Sequence, residues 1–178
     1  ALGDLVRRFI LPIAAILLTA ACSSSKPAPT VDGNVPIGKP AAAKTDAAGV
    51  FKTLAGAVRT AKLTWTATAA NDPNHLLGRP NQYTSKVAFA DSQIPKSDTE
   101  LGGTSMYKTG DVELGGSVEV FPDPADAAAR AKYVEAVTKS VQAFAEYDYS
   151  HGSIVLRLSR FLTPDQAAVY KKALDKLS

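Results

Sequence analysis

The densest run of side chains able to do chemistry is Asn71-Asp72-Pro73-Asn74-His75-Leu76-Leu77-Gly78-Arg79-Pro80. A carboxylate, an amide, an imidazole and a guanidinium lie close together here, and a loop presenting Asp72, Asn74, His75 and Arg79 could recognise a ligand. The same residues also make turns. Asp72 and Asn74 suit side-chain-to-backbone turns, Gly78 suits a left-handed position, and Leu76 and Leu77 can pin the loop to a core. A metal site is not expected. His75 and His151 are the only histidines, they lie far apart, and an Asp72/His75 pair lacks a third ligand. No cofactor motif is evident.

Other constellations are weaker. Ser105-Met106-Tyr107-Lys108 matches S-x-x-K, and Lys108-Thr109-Gly110 matches K-T-G. The two motifs share Lys108, which cannot fill both roles, and no S-D-N follows, so the match is read as coincidence. Asp123 and Asp126 suit the amino end of a helix. Glu146 and Asp148 alternate with Tyr147 and Tyr149, which predicts a solvated acidic strand face opposite two packed tyrosines. No catalytic residue is assigned.

The lone cysteine has a clearer context. Arg7-Arg8 precede an uncharged apolar run from Phe9 to Leu18, and Thr19-Ala20-Ala21-Cys22 closes it. The run is far shorter than the ~20 residues a membrane-crossing helix needs, and its charged front and small-residue end predict an export signal over 1–21. Small residues before a cysteine also form a lipid-attachment site, with Thr19 standing where Leu, Val or Ile is usual. Lipidation at Cys22 is the expectation, with membrane lipid as the first partner and the outer face of the cell membrane as the location. Plain secretion after Ala21 would leave an unpaired thiol on an exported chain. The chain begins with Ala1 and its only methionine is Met106; Val6, directly before the arginines, is the expected translation start.

Residues 22–45 are rich in Ser, Pro, Ala, Gly and Lys and show no apolar periodicity, as expected of a flexible tether. Its reach would be roughly 25 Å. Residues 46–178 suit one domain. The net charge is +3, with charges of both signs interspersed, so no nucleic-acid surface is indicated.

The domain reads as α+β. Val50, Phe51, Leu54 and Val58 share a helical face behind Thr45-Asp46. Strands are predicted over Leu63–Thr68, Tyr83–Phe89 and Ser117–Phe121 from their alternation. An irregular connection fills 91–116. Asp123-Pro124 opens a helix with Val134, Val137, Val141 and Phe144 on its apolar stripe and Asp126 placed to pair with Arg130. Tyr147–Tyr149 and Ile154–Leu158 should form a hairpin at His151-Gly152. Thr163-Pro164-Asp165-Gln166 is a capping box for the last helix. This order predicts a mainly antiparallel sheet with helices on one face, and its Ser117–Ser159 portion suggests half of a ferredoxin-like unit.

Asn71-Asp72-Pro73-Asn74, Leu76-Leu77-Gly78-Arg79-Pro80, Tyr83-Thr84-Ser85-Lys86 and Gly115-Gly116-Ser117-Val118-Glu119-Val120-Phe121 together resemble a set of uncharacterised exported lipoproteins of actinomycetes. The resemblance continues through Glu146-Tyr147-Asp148-Tyr149 and the Thr163-Pro164 helix. It implies an exported, lipid-anchored setting and no particular activity. The expected role is a binding or accessory module at the envelope, with an envelope protein or a wall ligand as partner and no nucleic acid. The competing expectation is a small envelope-directed hydrolase using the polar residues of 71–80.

Overall fold

A computed structural model describes residues 46–177 apart from 142 and 143. The expectations for the leader, Cys22 and the tether lie outside the described residues. No helix among the described residues is long and apolar enough to cross a membrane.

The principal elements are α1 (Ala47–Ala57), β1 (Ala61–Thr66), β2 (Ser85–Asp91), β5 (Gly115–Val120), α3 (Pro124–Ser140), β6 (Glu146–His151), β7 (Ile154–Ser159) and α4 (Pro164–Leu174). Between β2 and β5, where only an irregular connection was expected, the chain also forms the single turn α2 (Lys96–Thr99), the small hairpin β3 (Glu100–Leu101) and β4 (Thr104–Ser105), and a 3-10 turn over Val112–Leu114. Each is too short to announce itself by periodicity. The three long-range helix starts are capped as their residue types dictate. Asp46 accepts from the Gly49 amide, Asp123 from Ala125 and Asp126, and Thr163 with Gln166 forms the reciprocal box.

Five strands form one sheet in the order β1-β2-β5-β7-β6, every neighbour antiparallel. The domain is therefore α+β with a mainly antiparallel sheet. β5 and β6 run parallel to each other with β7 between them, the arrangement of a split β-α-β unit. The place beside β5 that a following strand would fill is taken by β2, which precedes it in the chain. At the centre of the sheet the backbones leave no room for side chains: a Cβ on Gly116 would lie 2.5 Å from the Arg157 carbonyl oxygen and 2.6 Å from the Phe89 ring.

Alternation divides the sheet into two unlike faces. Val87, Phe89, Val118, Val120, Leu156 and Leu158 point to one side, where α1 and α4 cover them with Val50, Leu54, Tyr170 and Leu174. Phe89 stacks on Tyr170 and tilts against Phe51. The Tyr170 hydroxyl, in the middle of this apolar layer, donates to Asp91 at 2.5 Å. α1 and α4 thus share one face as expected. α3 does not join them. It crosses the opposite face, contacting β6 and β7 and holding Glu119 through Arg130. The reason is chemical: that face carries Lys86, Glu119, Arg157, Glu146 and Asp148, and the polar sides of four strands need a cover that can pair with them.

Candidate functional site: a charged cleft under α3

Lys86 of β2 and Glu119 of β5 are direct register partners. Their side chains meet at 2.9 Å with almost no exposure on either. Arg130 descends from α3 and grips the same carboxylate from above, Nε to Oε2 at 2.8 Å and Nη2 to Oε1 at 3.2 Å. Arg157 of β7 approaches Glu119 at 3.7 Å through Nη1. Its Nε and Nη2 donate to Glu146 of β6 at 2.8–3.1 Å. Asp148, directly across from Arg157 in the β6–β7 pair, lies 3.9 Å from its Nε. Three cations and three carboxylates from five elements therefore form one network. A fully buried ion requires such pairing, since isolation would cost several kcal/mol.

The carboxylates are not equivalent. Burial pushes Glu119 upward, but Lys86, Arg130 and Arg157 outweigh it and hold the group down at about 2. Glu146 is raised, burial exceeding the attraction of Arg157, with Glu113 and Glu119 adding repulsion. Asp148 is pushed up to about 7 by burial and by Glu146, against a weaker pull from Arg157. Its Oδ1 accepts no hydrogen bond among the described residues. Arg157 is raised; burial opposes its charge, and Glu146, Glu119 and Asp148 more than offset that. The expected solvated face for Glu146 and Asp148 is thus corrected: α3 roofs it. The expected Asp126–Arg130 pair is likewise replaced, because Arg130 turns inward to Glu119.

Above this network a cleft of about 400 Å³ opens between α3 and the sheet. Charged residues (Lys86, Asp111, Glu113, Arg130, Glu146, Arg157 and Arg160) and apolar ones (Tyr133, Val134, Val137 and Phe144) line it together. The helical stripe expected to be core is core only at Val134, and α3 ends at Ser140, so Val141 and Phe144 lie beyond it. Val137, Val141 and Phe144 are 40%, 42% and 56% exposed, and Tyr133 is 63% exposed. The sheet beneath this half of α3 offers charge and not hydrocarbon, so the stripe has nothing to pack on.

The 71–80 loop lies at one end of the same face. Asp72 is buried and wholly committed to the loop. Both its oxygens accept from the Tyr83 hydroxyl at 2.7–2.8 Å, and its carboxylate also accepts the amides of Asn74, Leu76 and Leu77. Burial raises its pKa, but these donors prevail and lower it. Tyr83 is raised in turn, by burial first and then by Asp72. Leu76 and Leu77 pack on Tyr83, Phe121, Ala127 and Val155, a small second core beneath the first turns of α3. Gly78 takes φ +74° as its turn requires. His75, at φ 52°, and Arg79 are exposed. Asn74, also exposed, is the one candidate of this loop that reaches the cleft wall, together with Pro73. The structure therefore separates the four residues: Asp72 organises, Asn74 borders the cleft, and His75 and Arg79 face solvent.

Replacing Tyr83 by Phe removes the donor to Asp72 while keeping the ring edge-on to Phe121. A hydrogen bond to a charged acceptor is worth about 1.5 kcal/mol at the low end of its range. The Tyr83→Phe chain should lose about that much unfolding free energy in urea, and an unchanged midpoint would show that the Asp72 cage does not hold the loop.

Lys86, Glu119, Arg130 and Arg157 did not stand out in the sequence. The signal of the three strand residues was a charged side chain within each of three alternating strands, a pattern shared with any solvated sheet face. Among the described residues no group of three His, Cys, Asp or Glu is placed to hold a metal ion. Comparisons of the chain with family models, with curated proteins and with solved structures find no match.

Proposed function

We propose that this chain is a lipid-anchored extracytoplasmic protein of the actinomycete type it resembles, and that its domain acts as a binding or accessory module at the cell envelope. Thr19-Ala20-Ala21-Cys22 behind a short apolar run supports the anchor. A diacylglyceryl group plus an amide-linked acyl chain would supply the two or more chains that stable attachment takes. A tether of 22–45 would then hold the domain near its envelope partners at raised effective concentration.

The cleft under α3 carries the binding reading. It has the size of a small-molecule site, and fixed charges and exposed apolar side chains line it together. The hydrolase reading draws less support from the geometry, because Asp72, its principal carboxylate, is enclosed by its own loop and by Tyr83.

The anchor is tested on the chain expressed with its leader. Fractionation should place the protein with the membrane, and mass spectrometry should find acyl groups on the peptide that begins at Cys22. A Cys22→Ser chain should move to the soluble extracytoplasmic fraction. An unmodified Cys22 on a freely released protein would overturn the anchor.

A further inference from the structure

We infer that this chain pairs with a second copy of itself through β6, strand against antiparallel strand, about a two-fold axis normal to the sheet at Tyr149. The pairing goes beyond the binding module proposed above and does not depend on the anchor at Cys22.

Backbone bonding along β6 is fixed by the hairpin that ends it. Only Gly152 and Ser153 separate His151 from Ile154, Gly152 takes φ 52°, and His151 and Ile154 are register partners. Such a two-residue turn closes on a pair that exchanges both of its backbone bonds. Tyr147, Tyr149 and His151 therefore bond to β7, and Glu146, Asp148 and Ser150 turn their N–H and C=O groups to the outer edge. The far side of β7 agrees: the Phe121 amide donates to the Ser153 carbonyl, which leaves the backbone groups of Val155 and Arg157 for β5. No other described strand pairs with the outer edge of β6. The two edges of the sheet are unlike. β1 carries a bulge between Leu63 and Trp65 and an exposed Lys62, both of which discourage strand addition. β6 runs in unbroken register from Glu146 to His151 and has neither.

The side chains choose the register. An outward residue must face an outward residue, so the axis falls at a residue of β6 and not between two. At Asp148 it would set two Asp148 carboxyls opposite each other, and at Tyr147 it would set Glu146 opposite the second copy's Asp148. Like groups directly across a ladder oppose pairing. At Ser150 or beyond, the ladder runs out into the hairpin turn. At Tyr149 each Asp148 faces the second copy's Ser150, Tyr149 faces Tyr149, and Tyr147 faces His151. Asp148 Oδ1 is buried without a hydrogen bond among the described residues, and Ser150 is exposed with a hydroxyl able to donate to it.

The helix above the edge fits the same axis. α3 contacts β6 and β7, and strands lie about 4.8 Å apart, so α3 stands about 5 Å from the axis and about 10 Å from its copy. Packed helices lie about 8–10 Å apart. The open groove of about 560 Å³ beside β6, lined by Ala128, Ala131, Lys132, Glu135 and Lys139 of α3, is the space the second α3 would enter. Ala128 and Ala131 leave room for the approach. The charges alternate in sign along the helix, so an antiparallel pair can set Glu135 of one copy against Lys132 of the other.

The test uses the full chain carrying Cys22→Ser. Sedimentation equilibrium should return a mass that doubles as concentration rises, and a single-copy mass at every soluble concentration would overturn the pairing. Ser150→Pro removes an outward N–H and no bond to β7, a position where an edge strand accepts proline. It should leave the melting temperature of the dilute chain unchanged and weaken the dimer about tenfold, the worth of one lost bond per copy. A dimer indifferent to Ser150→Pro would overturn β6 as the interface. The axis is read by cross-linking, since Cys22→Ser leaves any introduced thiol alone in the chain. Tyr149→Cys should form a disulfide-linked dimer on mild oxidation, because residues opposite each other in a non-hydrogen-bonded pair stand about 4.5 Å apart at Cα. Ser150→Cys should stay unlinked, and linkage there but not at Tyr149→Cys would overturn the axis.

Discussion

Replacing Glu119 by Gln is expected to cost about 3–5 kcal/mol of unfolding free energy, the range for removing one partner of a buried ion pair. Glu119 is fully buried and touches Lys86, Arg130 and Arg157. Gln keeps the shape and one acceptor but strips the only charge common to all three cations. Domains of this size hold roughly 5–15 kcal/mol in total, so the variant should sit close to unfolding at 37 °C. The source of the loss can be isolated with a second change. Arg130→Met in the Glu119→Gln background removes one uncompensated cation and should recover part of the stability, a coupling that a double-mutant cycle in urea measures. A loss below about 1 kcal/mol for Glu119→Gln would mean that the cations are solvated and the network is not a structural centre. The acid limb has a definite sign. The folded pKa of about 2 lies below the ordinary value of 4.5, so the contribution is complete above 4.5 and disappears as pH falls toward 2.

The contrast between what alternation revealed and what it hid follows from the two faces of the sheet. Val87, Phe89, Val118 and Leu156 announce a strand and its buried side because apolar residues at every second position have one physical explanation. Caps and turns were legible for the same reason: Asp46, Asp123, Thr163 and Gly152 each satisfy a local backbone demand. Lys86, Glu119 and Arg157 at the intervening positions admit two explanations, water or a charged roof. Choosing between them needs the cross-strand register, which joins residues as far apart as Lys86 and Arg157. The same ambiguity misassigned α3. Its valines and Phe144 suggested a core stripe, but the sheet beneath is polar, and only Ala127 and Val134 are buried. The 71–80 loop was legible as a set of turns, whereas the Asp72–Tyr83 bond at its centre was not, because nothing local singles out Tyr83 as the donor. In the candidate site, then, the sequence exposes the apolar rim and the loop, and the third dimension assembles the charges.

Asp148→Asn is expected to act in the opposite direction to Glu119→Gln and only in one pH range. The Asp148 side chain is about nine-tenths buried and faces Arg157 of β7, Glu146 on its own strand, Glu119 of β5 and Glu135 of α3; Lys132 and Lys139 of α3 border the adjoining groove. Burial first, and then carboxylates that outnumber the one close cation, hold a proton here up to about pH 7 against an ordinary value of 3.8. A raised acid pKa means the native state binds more protons than the unfolded chain between those values. Stability therefore falls as pH rises from about 4 to 7, and the full penalty persists above 7. Three pH units correspond to roughly 4 kcal/mol; partial screening by solvent at the edge strand halves this to about 2 kcal/mol. Asn imitates the protonated carboxyl and cannot ionise. The Asp148→Asn chain should exceed the parent by less than about 1 kcal/mol at pH 5 and by about 2 kcal/mol at pH 8 in urea unfolding. Equal stability at both pH values would place the Asp148 proton elsewhere. Because Glu146 is also raised, the variant should retain a shallower decline of the same sign, and its direction is a separate check on the network. With Glu119 losing its contribution below 4.5 and Asp148 losing its own above about 4, the charged face under α3 is most stable between about pH 4 and 4.5.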